Sequence, residues 1–243
     1  MTRPFILLVG CLLSLGSFVP GAAQERTELQ AFQDAAGNRS ILFRGKQAAR
    51  YLFPYNGHPY WRETEFQPGD ICFEGNEYHD ILINIDASTQ LALVQLPTGL
   101  FAVSLAPALT PWFTMGDRRF VGMGPGEALP EGFYELIGSG PEQVYLQVTK
   151  SLASSTNNVN GDLIGFRDEN YRDDILTYFA IHQSFYFKDA AGVFSRIRTR
   201  RALLNKFPGR KREIRQALKG VLDPFTRPSF ETYCEAVMNI VAQ

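Results

Sequence analysis

The sequence predicts an α+β fold that is mainly β: a curved antiparallel meander sheet, or a partly open barrel, with C-terminal helices packed on it. Three observations predict it. From Asp70 to Leu105, apolar and polar side chains alternate in short runs broken by Gly, Asn and Pro, the pattern of half-buried strands. The sequence of apolar run, Gly turn and return recurs in ILFRGKQ, ICFEGNEY and WFTMGDRRF. After Thr199 the apolar spacing changes from two to about three and a half, the helical period.

In chain order, residues 1 to 24 read as a secretory signal. Arg3 supplies the positive start, Phe5 to Val19 the apolar core, and Gly21-Ala22-Ala23-Gln24 the small residues of a cleavage site. Leu8-Val9-Gly10-Cys11 resembles a lipobox, so lipidation at Cys11 is the alternative. The apolar stretch before Cys11 is very short, and cleavage there would leave Leu12 to Val19 as an apolar terminus. Residues 25 to 243 form a single β-rich domain whose helical tail runs from 199 to 243, with no transmembrane helix in the mature chain. The expected location is the periplasm, the outer envelope or the medium.

Glu25 to Ala36 fits a short helix or an edge strand equally well. Ser40 to Arg44 reads as a strand turning at Gly45-Lys46. Tyr51 to Trp61 (YLFPYNGHPYW) is the densest aromatic patch, kept from a helix by Pro54 and Pro59. In the ladder, Ile71 and Phe73 take one face and Cys72 and Glu74 the other. Gly75-Asn76 reads as the hairpin turn. Ile81, Ile83 and Ile85 alternate with Leu82, Asn84 and Asp86. Leu91 to Leu96 is apolar enough to be covered on both faces, and Phe101, Val103 and Leu105 point one way again. Local pairing alone accounts for such a meander.

A further hairpin joins Trp112–Met115 to Arg118–Met123 around Gly116-Asp117. Another joins Gly132–Ile137 to Val144–Val148. Ser151 to Gly161 is polar and linker-like, expected as a loop or an excursion at the sheet edge. Strands resume at Ile175–His182, Gln183–Lys188 and Val193–Arg198. Thr199 caps a helix that ends at Pro208-Gly209; a second spans Arg210–Lys219, and Pro228 starts a third. Their apolar faces need a surface, and the sheet is the large one available.

The motifs GHPYW, FQPGDICFEGNEYHDILINID, GFYELI and YFKDAAGVFSRIRTRRALLNKFPGRKREIRQALKG, in that order, resemble an uncharacterised family of exported β-rich bacterial envelope proteins with a basic helical C-terminal tail. The resemblance spans roughly Phe43 to Ala242, and its most specific piece is RALLNKFPGRKREI. It implies export, a β-rich body and a helical tail, and no activity.

No residue set reads as catalytic or metal-binding, and no cofactor is expected. The three histidines, His58, His79 and His182, share no ligand spacing. Ser139 lacks the strand-to-helix elbow of a hydrolase nucleophile. The carboxylates Glu63, Glu65, Asp70, Glu74 and Glu77 read as solvent-facing. Ligand-binding candidates are Tyr55, His58, Tyr60 and Trp61, which suit stacking, and Arg210, Lys211 and Arg212 in the basic tail, which suit carboxylates or phosphates. The expected partner is an anionic envelope polymer, a lipid headgroup or an acidic protein. A net charge of −1 and export argue against nucleic acid. Cys72 and Cys234 remain after signal removal and are candidates for a disulfide. The leading expectation is a non-catalytic binding or scaffolding protein. The alternatives are a metal-assisted hydrolase using the histidines and a lipid-carrying half-barrel.

Overall fold

The computed structural model describes residues 40–49, 51, 56–99, 101–156, 175–222 and 228–242. The chain divides into two compact units, Met1–Ala36 and Gly37–Gln243, and every described residue belongs to the second. The expectations for the signal, for Glu25 to Ala36, for Tyr55 and for Asn157 to Gly161 fall outside the described residues.

Eleven strands form one antiparallel sheet. They are β1 (Lys46–Gln47), β2 (Gln67–Phe73), β3 (Asn76–Asp86), β4 (Leu91–Gln95), β5 (Ala102–Leu105), β6 (Trp112–Met115), β7 (Arg118–Met123), β8 (Gly132–Ile137), β9 (Gln143–Thr156), β10 (Ile175–Lys188) and β11 (Phe194–Ile197). Their spatial order is β1-β5-β4-β3-β2-β6-β7-β8-β9-β10-β11. Two meanders, β2 to β5 and β6 to β11, therefore meet at one non-local seam. There Ile71 opposes Phe113 and Cys72 opposes Trp112. Within the ladder, β2 to β5, all pairing is local as expected; the seam and the β1–β5 pair are non-local additions to it.

The sheet curls without closing. The turn after β3 reaches the far meander: Lys150 N donates to Ala87 O at 2.9 Å, and Gln90 Nε2 donates to Val148 O at 2.9 Å. One face of the sheet carries the core, including Ile71, Ile83, Phe113, Phe120, Leu146 and Phe187. Three helices pack there: α1 (Arg200–Leu204), α2 (Lys211–Val221) and α3 (Phe230–Val241). Leu203, Ile214, Cys234 and Val237 are fully buried in the same cluster. Thr199 Oγ1 accepts from Ala202 N, and Ser229 Oγ from Thr232 N, both at 3.1 Å, capping α1 and α3. No helix among the described residues is long and apolar enough to cross a membrane.

Local details differ from expectation for physical reasons. Ile41–Arg44 is a 3-10 turn, not a strand. The first hairpin turns one residue early, at Glu74-Gly75, with φ of +48° and +79°; two left-handed residues make a turn that matches strand twist. Ser151–Thr156 is strand rather than linker, because β9 and β10 form one ribbon of fourteen paired positions. Polar Ser and Thr are tolerated there because strand propensity depends more on pairing than on burial.

Candidate functional site

The aromatic patch enters the structure as a strap, residues 56–61, laid between distant strands. Asn56 exchanges backbone hydrogen bonds with β10, to Thr177 O at 3.0 Å and from Phe179 N at 3.2 Å. Pro59 O accepts from Ala87 N, and Trp61 N donates to Ile85 O, each at 2.9 Å. The strap thus joins the end of β3 to β10. Its side chains separate. Trp61 is core, edge-on to Phe120 at 5.1 Å between centroids. His58 and Tyr60 stack together at 5.9 Å on the other side.

Beneath the strap lies Lys150, a residue the sequence reading passed over. Val144, Leu146, Val148 and Lys150 share one face of β9 by alternation, so the lysine follows three core residues and is 7% exposed. Its Nζ donates to His58 O at 2.9 Å. Burial pushes its pKa down, opposed by the charge of Asp86. Asp86 is itself buried and accepts from Tyr51 Oη at 2.6 Å and Ser88 Oγ at 2.7 Å. Burial and then the Asp86 bond push the Tyr51 pKa up to about 12. His58 is lowered by burial first and by Lys150 second, against weaker opposition from Glu65 and the Arg62 backbone. Its Nδ1 is buried with no hydrogen-bond partner among the described residues.

The second cluster lies beyond Trp61. Strand alternation on β8 turns Phe133, Glu135 and Ile137 inward, which places an acid under α3, 4% exposed. Arg62 and Arg118 both bind Glu135, and both also reach Glu231 on α3. Arg118 lies 3.8 Å from Glu235. Both guanidiniums pack on the Trp61 ring, at 4.2 and 5.5 Å from its centroid. Burial still outweighs the two arginines and raises the Glu135 pKa. The ligand atoms of Glu135, Glu231 and Glu235 converge within 4.8 Å, and two guanidiniums already occupy this acidic cluster.

A cleft of about 230 Å³ opens beside this cluster. Arg62, Arg118, Glu63, Glu65 and Asp117 line it, with Trp61 and Met115 supplying apolar wall. Asn84, also at the wall, donates from Nδ2 to the carbonyls of Glu63, Thr64 and Glu65 at 3.1, 3.3 and 3.1 Å. It accepts from Ile85 N at 2.7 Å. One buried amide therefore fixes the loop that carries Glu63 and Glu65.

The basic tail sorts into two sets. Arg210 is structural: its guanidinium donates to Val241 O at 3.0 Å and Ile240 O at 3.3 Å, the last carbonyls of α3, and pairs with Glu213 at 2.8 Å. Arg200 bonds Pro228 O and lies over Tyr233. Lys211, Arg212, Arg215 and Lys219 on α2 make no hydrogen bond or ion pair among the described residues. At 100° per residue these four span an arc of about 100° that adjoins the buried Ile214 and Leu218, with Lys211 at the shared edge.

Cys72 and Cys234 are free and buried rather than bonded. Ile71 and Phe73 point into the core where Cys234 sits, and alternation sends Cys72 to the other face. Burial raises the Cys234 pKa to about 12. The histidines keep separate company: His79 Nδ1 lies 3.1 Å from Asp70, His182 Nε2 lies 3.3 Å from Ser151 Oγ, and His58 sits in the strap. Comparison with known protein families, curated proteins and solved structures finds no match.

Proposed function

We propose that this is an exported, non-catalytic binding protein of the cell envelope, and that its helical tail holds an anionic partner. The signal-like start of the sequence supports export. The observation that carries the binding is the ridge of Lys211, Arg212, Arg215 and Lys219. Two of these cations stand in the first turn of α2, where the positive end of the helix dipole disfavours them by about 0.3–1 kcal/mol each. Arg210 beside them is explained by the carbonyls it binds. Lys211 and Arg212 have no such role in the fold, so their cost is offset by something outside it. The metal-assisted alternative lacks a corresponding cluster, since the three histidines have different neighbours.

The test is a fourfold charge reversal, Lys211→Glu, Arg212→Glu, Arg215→Glu and Lys219→Glu, with Arg210 left intact. Binding is measured to vesicles of phosphatidylglycerol and to neutral phosphatidylcholine vesicles over a salt series. Each basic residue near an anionic surface contributes about 1 kcal/mol. The variant should therefore lose at least on the order of a thousandfold in affinity, and wild-type binding should weaken with salt. Equal binding by variant and wild type removes the tail from the proposal.

A further inference from the structure

Going beyond the tail, the geometry points to the cleft beside Trp61 as a binding site for a small zwitterion, of the chemical class of a free α-amino acid. Its lining carries both charges, Arg62 and Arg118 beside Glu63, Glu65 and Asp117. Arg62 spends Nη2 on Glu135 and Glu231, and Arg118 spends Nη1 on Glu135, Glu231 and Glu235. A guanidinium has five N–H donors, and the remaining ones have no protein acceptor among the described residues. Two arginines held in place by a buried carboxylate, with donors to spare, are prepared for a ligand carboxylate.

Glu63, Glu65 and Asp117 form no ion pair with any described cation. Three such carboxylates facing one cleft suit an ammonium group. An anion alone would meet these acids, and a cation alone would meet the arginines; a ligand with both charges satisfies both sets. The site is also fixed in advance. Asn84 clamps the acid-bearing loop through three carbonyls, and the glutamates hold the arginines, which lowers the ordering cost of binding. Size narrows the class further. At about 30 Å³ per water, the cleft holds roughly eight waters, the bulk of an amino acid with a small side chain. Met115 and the edge of Trp61 offer that side chain an apolar wall.

The experiment is isothermal titration calorimetry of the full mature chain with L-valine, N-acetyl-L-valine and L-valinamide. Valine should bind saturably. The acetylated form lacks the ammonium and the amide lacks the carboxylate, so each should bind at least about tenfold more weakly. The variant Glu63→Gln, Glu65→Gln, Asp117→Asn touches none of the residues that hold Glu135. It should keep the wild-type melting temperature and lose about tenfold in valine affinity. No saturable heat with valine overturns the assignment, as does equal binding of valine and either derivative. Unchanged valine affinity in the neutralised variant overturns it too.

Discussion

Replacing Gly69 by alanine tests the seam between the two meanders, and its effect can be worked from the structure. A β-carbon at Gly69 would overlap the Thr114 carbonyl oxygen and lie 2.7 Å from the Thr114 carbonyl carbon. Carbon atoms in contact normally stand about 3.5–4.0 Å apart, so the β2 and β6 backbones must separate by on the order of 1 Å. Only two residue pairs join these strands. The adjoining bond from Asp70 N to Thr114 Oγ1, 2.9 Å, would be strained with them. Overpacking costs about 1–3 kcal/mol, with the upper end expected because the obstacle is backbone. The unfolded chain loses freedom when Gly becomes Ala, which returns about 0.4–1 kcal/mol. The net loss is about 2 kcal/mol, which for a body of this size lowers Tm by roughly 4–8 °C. Gly140→Ala is the control, since nothing lies within 4 Å of its added carbon. Thermal unfolding followed by circular dichroism compares the two. If Gly69→Ala melts within about 1 °C of Gly140→Ala, the close approach at the seam is wrong.

Two other outcomes follow from the strap and the tail. The His58 pKa is lowered from its usual 6.5 by burial and by Lys150, so the unfolded chain binds more protons just below that pH. Stability should therefore fall as pH drops through 6.5. Urea unfolding at several pH values should show a shallower decline in His58→Gln; parallel curves would contradict the lowered pKa of this half-buried imidazole. Arg210→Ala should lower Tm through the lost α3 carbonyl contacts, whereas Arg212→Ala should leave Tm unchanged or slightly raised and weaken vesicle binding. Reversed effects would exchange the structural and binding roles assigned to these neighbours.

The readable features are those set by neighbours in sequence. The Gly116-Asp117 hairpin, the Thr199 cap and the apolar stripe through Cys234 and Val237 follow from turn chemistry and spacing, and each stands where the sequence places it. The β2–β6 seam does not follow, because nothing local tells Cys72 that its neighbour is Trp112. Glu135 and Lys150 were hidden for a related reason. Charged residues on strands are usually exposed, and their burial depends on α3 and the strap, which come from far away in the chain. A signal did exist: Glu135 lies between Phe133 and Ile137, and Lys150 continues the row of Leu146 and Val148. A charge on the apolar phase of a strand marks a buried polar contact. The arginines that were grouped by composition divide only when their acceptors are known.

The strap also sets a schedule for synthesis. Asn56 emerges early, but the β10 backbone it bonds, at Thr177 and Phe179, comes roughly 120 residues later. At about 5–20 residues per second, translation leaves a gap of roughly 6–24 seconds between them. Throughout that interval, the nascent polypeptide lacks the last partners needed to lock its first segment.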